Sequence, residues 1–143
     1  MWFTLRPGAR TADEAIEELV RLLDEPLGAD KAELAGAAVR AREAQAPTFL
    51  GYETALPHAR LSVPGPGLLA FGRYDAGVAW GVDGERARLV FLTRVPADAT
   101  GAYLEFVRDL GRSMRDDAVR TELLLAPDEP SIRGWFRAHL GVG

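Results

Sequence analysis

The chain has 143 residues, 48% of them apolar, which is enough for one domain with its own core. Its 17 basic and 21 acidic side chains leave a net charge of −4, which argues against a basic nucleic-acid-binding face. Cysteine is absent, so disulfides, thiol catalysis and cysteine-held metals are excluded.

The first predicted element lies in "TADEAIEELVRLLDEPLG". Thr11 followed by Glu14 forms a capping box, and Ile16, Leu19, Val20 and Leu23 share one helical face. Pro26 and Gly28 are expected to end this helix. "ADKAELAGAAVRARE" repeats the device with Asp30 and Glu33, predicting a second helix to about Glu43. From Ala46 onward, Pro47, Gly51, Pro57, Pro64, Gly65, Pro66 and Gly67 break any helical period, so short strands and irregular loops are expected. "GLLAFGRY" and "GVAWG" read as short strands. "ARLVFLTRV", residues 87–95, is a nearly continuous apolar run suited to a central strand.

After Pro96 the helical period returns. Tyr103, Leu104, Val107, Leu110 and Met114 form one stripe, and further helices are expected over Asp117 to Leu124 and Ser131 to Leu140. The fold class is α/β: a single domain over 1–143, with a mixed sheet flanked by helices. No apolar run approaches the roughly 20 residues of a membrane span. The start carries no signal-peptide pattern, so a cytoplasmic location is expected.

The two histidines, His58 and His139, are far apart in sequence and neither sits in a metal-ligand spacing; no cofactor or metal is expected. Ser62, Ser113 and Ser131 lack a nucleophile-elbow pattern, and no glycine run matches a phosphate loop. His139 falls on a face with Ile132, Trp135 and Phe136, which reads as packing. His58 is different, lying in the loop-rich middle with Arg40, Arg42 and Arg60 close in sequence. An imidazole accepts a phosphoryl group on nitrogen without metal or cofactor, provided one nitrogen is neutral and exposed and the other is held. A free imidazole titrates near about 6.5, so much of it is neutral at pH 7. A guanidinium fork suits the phosphoryl oxygens.

The span "REAQAPTFLGYETALPHARL", residues 42–61, resembles the signature of phosphotransferase-system EIIA domains of the fructose–mannitol type, a group that includes nitrogen-regulatory EIIA proteins. Arg42, Glu43, Thr48, Gly51, Ala55, Leu56, Pro57 and His58 match that pattern without a gap. The opening "TADEAIEELVRLL" and the block "LVFLTRVPADATGAYLEFVRDLGRSM" extend the likeness over nearly the whole chain. The resemblance implies that His58 takes a phosphoryl group from an HPr-type carrier and passes it to an EIIB component, in sugar uptake or in nitrogen or carbon regulation. It assigns Arg42 to the phosphoryl oxygens and Pro57 to fixing the backbone at His58. No nucleic acid and no direct membrane insertion enter this scheme.

Three residues depart from the family pattern. Tyr103 stands where the family commonly has a second histidine, and Phe49 and Glu53 stand where it often has glycine. A carboxylate about 6 Å from a phosphoryl group repels each unit charge by roughly 1–3 kcal/mol. These departures leave open an alternative: a degenerate EIIA-like regulatory domain that binds partner or target proteins without phosphoryl transfer.

Overall fold

A computed structural model describes residues 1–5, 7–62 and 65–142. By contact density the chain divides into two units, Met1–Ala99 and the residues from Thr100 onward.

The first unit is a sheet with helices. Strand β1 is Trp2–Thr4; helices α1 (Ala12–Arg21), α2 (Asp24–Leu27) and α3 (Ala29–Gln45) follow. Then come β2 (Phe49–Gly51), β3 (Thr54–Ala55), β4 (His58–Arg60), β5 (Leu68–Ala79) and β6 (Arg86–Val95). The six strands form one mixed sheet in the order β1-β5-β6-β3-β2, with β4 also paired to β6. β5 and β6 are an antiparallel pair, whereas β3 and β4 run parallel to β6. The apolar run of β6 therefore lies in the sheet's interior, as its composition requires.

α1 starts as expected. The Thr11 side chain accepts from the Glu14 backbone N–H at 3.2 Å. Glu14 reaches back to the N–H of Arg10 rather than to that of the cap residue. The helix stops at Arg21, earlier than expected, and Pro26 falls inside the separate short helix α2, where a missing N–H costs little in the first turn. α3 begins at Ala29 with Gly28 as its N-cap and no side-chain cap bond, so Asp30 lies in the first turn instead of capping it. Strand β1 was not expected from the sequence; it pairs in parallel with β5. The two strands expected at "GLLAFGRY" and "GVAWG" are one strand, β5, interrupted by a register shift between Arg73 and Val78. Gly77, at φ 78, supplies the left-handed residue that such an irregularity uses.

Side chains alternate along β6. Val90 and Leu92 join Ala55, Ala59 and Ala70 in a core completed by Ile16, Leu19 and Leu23 from the α1 segment and by Ala32 and Val39 of α3. Leu89, Phe91 and Thr93 point to the other face, where the rings of Phe71 and Phe91 pack at a tilt of 48° with centroids 5.0 Å apart.

The second unit holds α4 (Thr100–Arg115), α5 (Asp117–Leu125) and α6 (Glu129–Leu140). Asp116 caps α5 through the N–H of Val119, and Asp128 caps α6 through that of Ser131; the Ser131 hydroxyl first, and then this N–H, hold the Asp128 carboxyl below its usual range. Leu110, Met114, Leu123, Ile132 and Phe136 are buried. Leu104, expected on the apolar stripe, is 54% exposed.

Candidate functional site

The segment from α3 to β4 is built around one carboxylate. Glu43, in the last turn of α3, accepts the Thr48 backbone N–H at 2.8 Å through Oε1 and the Thr48 hydroxyl through Oε2. The Trp80 indole N–H also donates to Glu43 Oε1, at 2.8 Å. Thr48 passes the constraint on, because its carbonyl accepts the N–H of Leu56 at 2.9 Å. The carbonyl of Leu56 then meets His58 Nδ1 at 3.0 Å. A carbonyl only accepts, so Nδ1 carries the proton in this contact and the lone pair of the neutral ring lies on Nε2.

The turn between β2 and β3 is tight. Gly51, Tyr52 and Glu53 have φ of 81, 53 and 59, three consecutive left-handed residues of which only one is glycine. The Glu53 carbonyl accepts the N–H groups of Arg88 and Leu89, and the Thr54 hydroxyl donates to the Tyr52 carbonyl. These bonds hold a backbone conformation that costs a non-glycine residue roughly 1–3 kcal/mol. The Glu53 carboxylate lies 3.6 Å from Arg88 Nη1.

β3 and β4 are two pieces of one strand path broken at Leu56 and Pro57. The Pro57 carbonyl accepts the Thr93 N–H at 3.0 Å, and β4 then runs beside β6 with His58 opposite Thr93 and Ala59 opposite Arg94. Ala59 enters the core, so His58, one residue earlier, projects from the opposite face and is half-buried. Arg60 is exposed, two residues further along that face.

Arg42 is half-buried in the last turn of α3 and donates Nη1 to the carbonyl of Ala46 at 3.0 Å. That bond ties it to the entrance of the His58 segment. Arg40 is committed elsewhere, to Glu17 of α1. Phe49 is half-buried against the core as the first residue of β2. Tyr103 stands in the first turn of α4, in the second unit, and is half-buried. His139 packs its ring on Trp135, with centroids 5.1 Å apart, and its Nε2 lies 3.7 Å from Glu122, which agrees with a packing role.

Sequence reasoning missed Trp80 and Thr93. The Trp80–Glu43 bond joins residues 37 apart in the chain, and no local pattern signals it. Thr93 is visible as a polar residue in an apolar strand. It lies beside His58, and its buried hydroxyl has no hydrogen-bond partner among the described residues.

Comparison with known proteins identifies the family and the fold. Residues 2–137 match the family model described as phosphoenolpyruvate-dependent sugar phosphotransferase system, EIIA 2. The chain is 32% identical over 133 residues to the fructose-specific EIIABC component of Bacillus subtilis, covering 92% of this chain but only 21% of that longer protein. It is 30% identical over 124 residues to the fructose-specific EIIA component of Haloferax volcanii, covering 86% of this chain and 80% of the relative. The crystal structure of the nitrogen regulatory protein IIA-Ntr from Neisseria meningitidis superimposes with a TM-score of 0.79 at 26% identity, covering 93% of this chain and 90% of that one. The IIA mannitol crystal structure from Escherichia coli, 23% identical with a TM-score of 0.74 and 93% of each chain covered, shares the fold.

Proposed function

Because the chain belongs to the EIIA 2 family of the phosphoenolpyruvate-dependent sugar phosphotransferase system, we propose that it is a phosphocarrier with His58 as the phosphorylated residue. The observation that carries this reading is the contact between His58 Nδ1 and the Leu56 carbonyl, which directs the lone pair to Nε2. In the proposed step, Nε2 attacks the phosphorus of a phosphohistidine on an HPr-type carrier. A new P–N bond forms, the donor's P–N bond breaks in line, and the donor imidazole leaves with the electron pair and takes up a proton. His58 keeps its Nδ1 proton and donates it to the Leu56 carbonyl, which favours the positive ring formed by the attack. The phosphoryl group then passes to an EIIB component.

Positioning and charge stabilisation carry such a step. Arg42 suits the second task. Among the described residues only its bond to Ala46 engages the guanidinium, and the remaining N–H groups are left for phosphoryl oxygens. The Arg88 guanidinium, 3.6 Å from the Glu53 carboxylate, supports transfer by offsetting part of that charge. Tyr103 is assigned a neutral hydroxyl role where the family commonly has its second histidine.

The relatives include fructose-specific and nitrogen-regulatory proteins, so both sugar uptake and nitrogen or carbon regulation fall within this proposal. The test is incubation of the purified protein with radiolabelled phospho-HPr-type donors from its own organism. Acid-labile, alkali-stable label on wild type and none on His58→Ala is the expected result. An unlabelled but folded wild type would instead favour the partner-binding regulatory domain.

A further inference from the structure

We propose that a cavity of about 580 Å³ on the sheet face opposite His58 binds a small organic anion, with Arg94 and Lys31 as its cationic receptors and an apolar wall for its body. The ligand class is a carboxylate or phosphate monoester on a short hydrocarbon chain.

The central observation is Arg94. It occupies a position in β6 that alternation assigns to the apolar core face, in register with Ala59 and two residues beyond Leu92. It is only 7% exposed. Burying a guanidinium is costly unless an opposite charge or a full set of acceptors meets it. Here Nη1 donates to the Pro66 carbonyl at 2.7 Å, and among the described residues no other acceptor and no carboxylate engages it. A guanidinium has five N–H donors, so most are uncommitted.

The surroundings point the same way. The second cation, Lys31, lies in the first turn of α3, and none of the lining residues is acidic. Leu27, Leu34, Ala35 and Leu61 supply the apolar wall; Leu34 is 71% exposed there. Gly65 fits closely against the guanidinium: a Cβ there would fall 2.9 Å from Arg94 Nη1, and its φ of 152 is one that other residues rarely adopt. Two cations, no acid and an apolar wall match an amphipathic anion better than a neutral or cationic ligand. This inference does not depend on phosphoryl transfer, because the site is on the other face of the sheet from His58 and is read by binding alone.

The experiment is a ¹H–¹⁵N NMR titration with four probes: hexanoate, hexyl phosphate, inorganic phosphate and hexanol. Saturable shifts at Arg94 Hε and at the amides of Lys31, Leu34 and Ser62 are expected with the first two, and the better of them identifies the head group. Inorganic phosphate and hexanol should each bind at least about tenfold more weakly, having lost the apolar or the charged half of the contact. Lys31→Ala, a change on an exposed helix surface, should weaken the anions several-fold, and Arg94→Met should abolish saturable binding with spectral dispersion retained. No saturable shift up to about 10 mM, a Kd beyond which specific recognition is slight, would overturn the proposal. So would equal binding of hexanol and hexanoate, equal binding of inorganic and hexyl phosphate, or unchanged affinity in Lys31→Ala. Should Arg94→Met fail to fold, Lys31→Ala alone decides.

Discussion

Glu43 and Trp80 are joined by a hydrogen bond of 2.8 Å from the indole N–H to Oε1, and the same carboxylate holds Thr48 by its N–H and its hydroxyl. One side chain thus fastens the end of α3, the start of β2 and the end of β5. Glu43→Ala removes three acceptor contacts and leaves Thr48, which is buried, without its partners. Urea denaturation should show a loss of about 2–4 kcal/mol, and Trp80→Phe, which removes one of the three bonds, a loss of about 1 kcal/mol.

The chemistry of His58 should be separable from its structural weight. His58→Ala is expected to abolish phosphorylation by an HPr-type donor and to shift the urea midpoint little, because the side chain is half-buried and its bond to the Leu56 carbonyl stays within its own segment. Single-turnover labelling together with far-ultraviolet circular dichroism checks both halves.

Arg42→Ala should slow phosphoryl transfer more than Arg42→Lys does, since lysine keeps the charge and loses the planar fork. Both variants lose the bond to the Ala46 carbonyl in its present form, at a stability cost of about 1 kcal/mol. A rate difference between the two that exceeds their stability difference assigns the guanidinium to the reaction; equal rates would leave it a helix-end brace.

The left-handed turn offers a stabilising change. Glu53→Gly relieves a backbone conformation at φ 59 at the expense of a longer, partly exposed contact to Arg88. Net of the greater freedom of glycine in the unfolded chain, stability should rise by about 0.5–1 kcal/mol, read as a higher urea midpoint. A fall would mean that the Arg88 pairing outweighs the strain.

Tyr74 gives a pH dependence. Its hydroxyl is raised well above the ordinary tyrosine value, chiefly by burial and then by the charge of Glu18, and it has no hydrogen-bond partner among the described residues. The unfolded chain therefore releases this proton first. Its contribution is level below about pH 10 and declines as the pH rises through the unfolded value. Tyr74→Phe should flatten that alkaline decline and cost nothing at neutral pH, since it removes an unpaired buried hydroxyl. Thermal melts at pH 7 and in the alkaline range provide the check.

The elements written in local pattern were legible. The cap at Thr11, the apolar run of β6 and the helices after Pro96 all depend on residues within a turn or a strand of one another. Asp30 misled because the helix starts before the expected cap, with Gly28, two residues earlier, at the N-cap. β1 is three residues long and is specified by its pairing with β5, which no local signal carries. At the site, His58, Arg42 and Glu43 stood out through family resemblance. The Trp80 contact arises from long-range packing, which spacing does not reveal.

The parallel pairing of β4 with β6 has a consequence for synthesis and folding. His58 is made well before Thr93, the residue beside it in the sheet, and the Glu43 clasp likewise waits for Trp80. A nascent chain that has emerged only as far as Leu68 holds the histidine but not its scaffold. Such long-range pairings must close large loops before they gain contact energy, which slows their formation. The Nδ1 contact that orients the ring is local and can form early; the strand that holds it in place cannot. A stalled chain ending before Val95 should therefore leave the amides of residues 56–60 open to hydrogen exchange, and their protection should appear with that of β6.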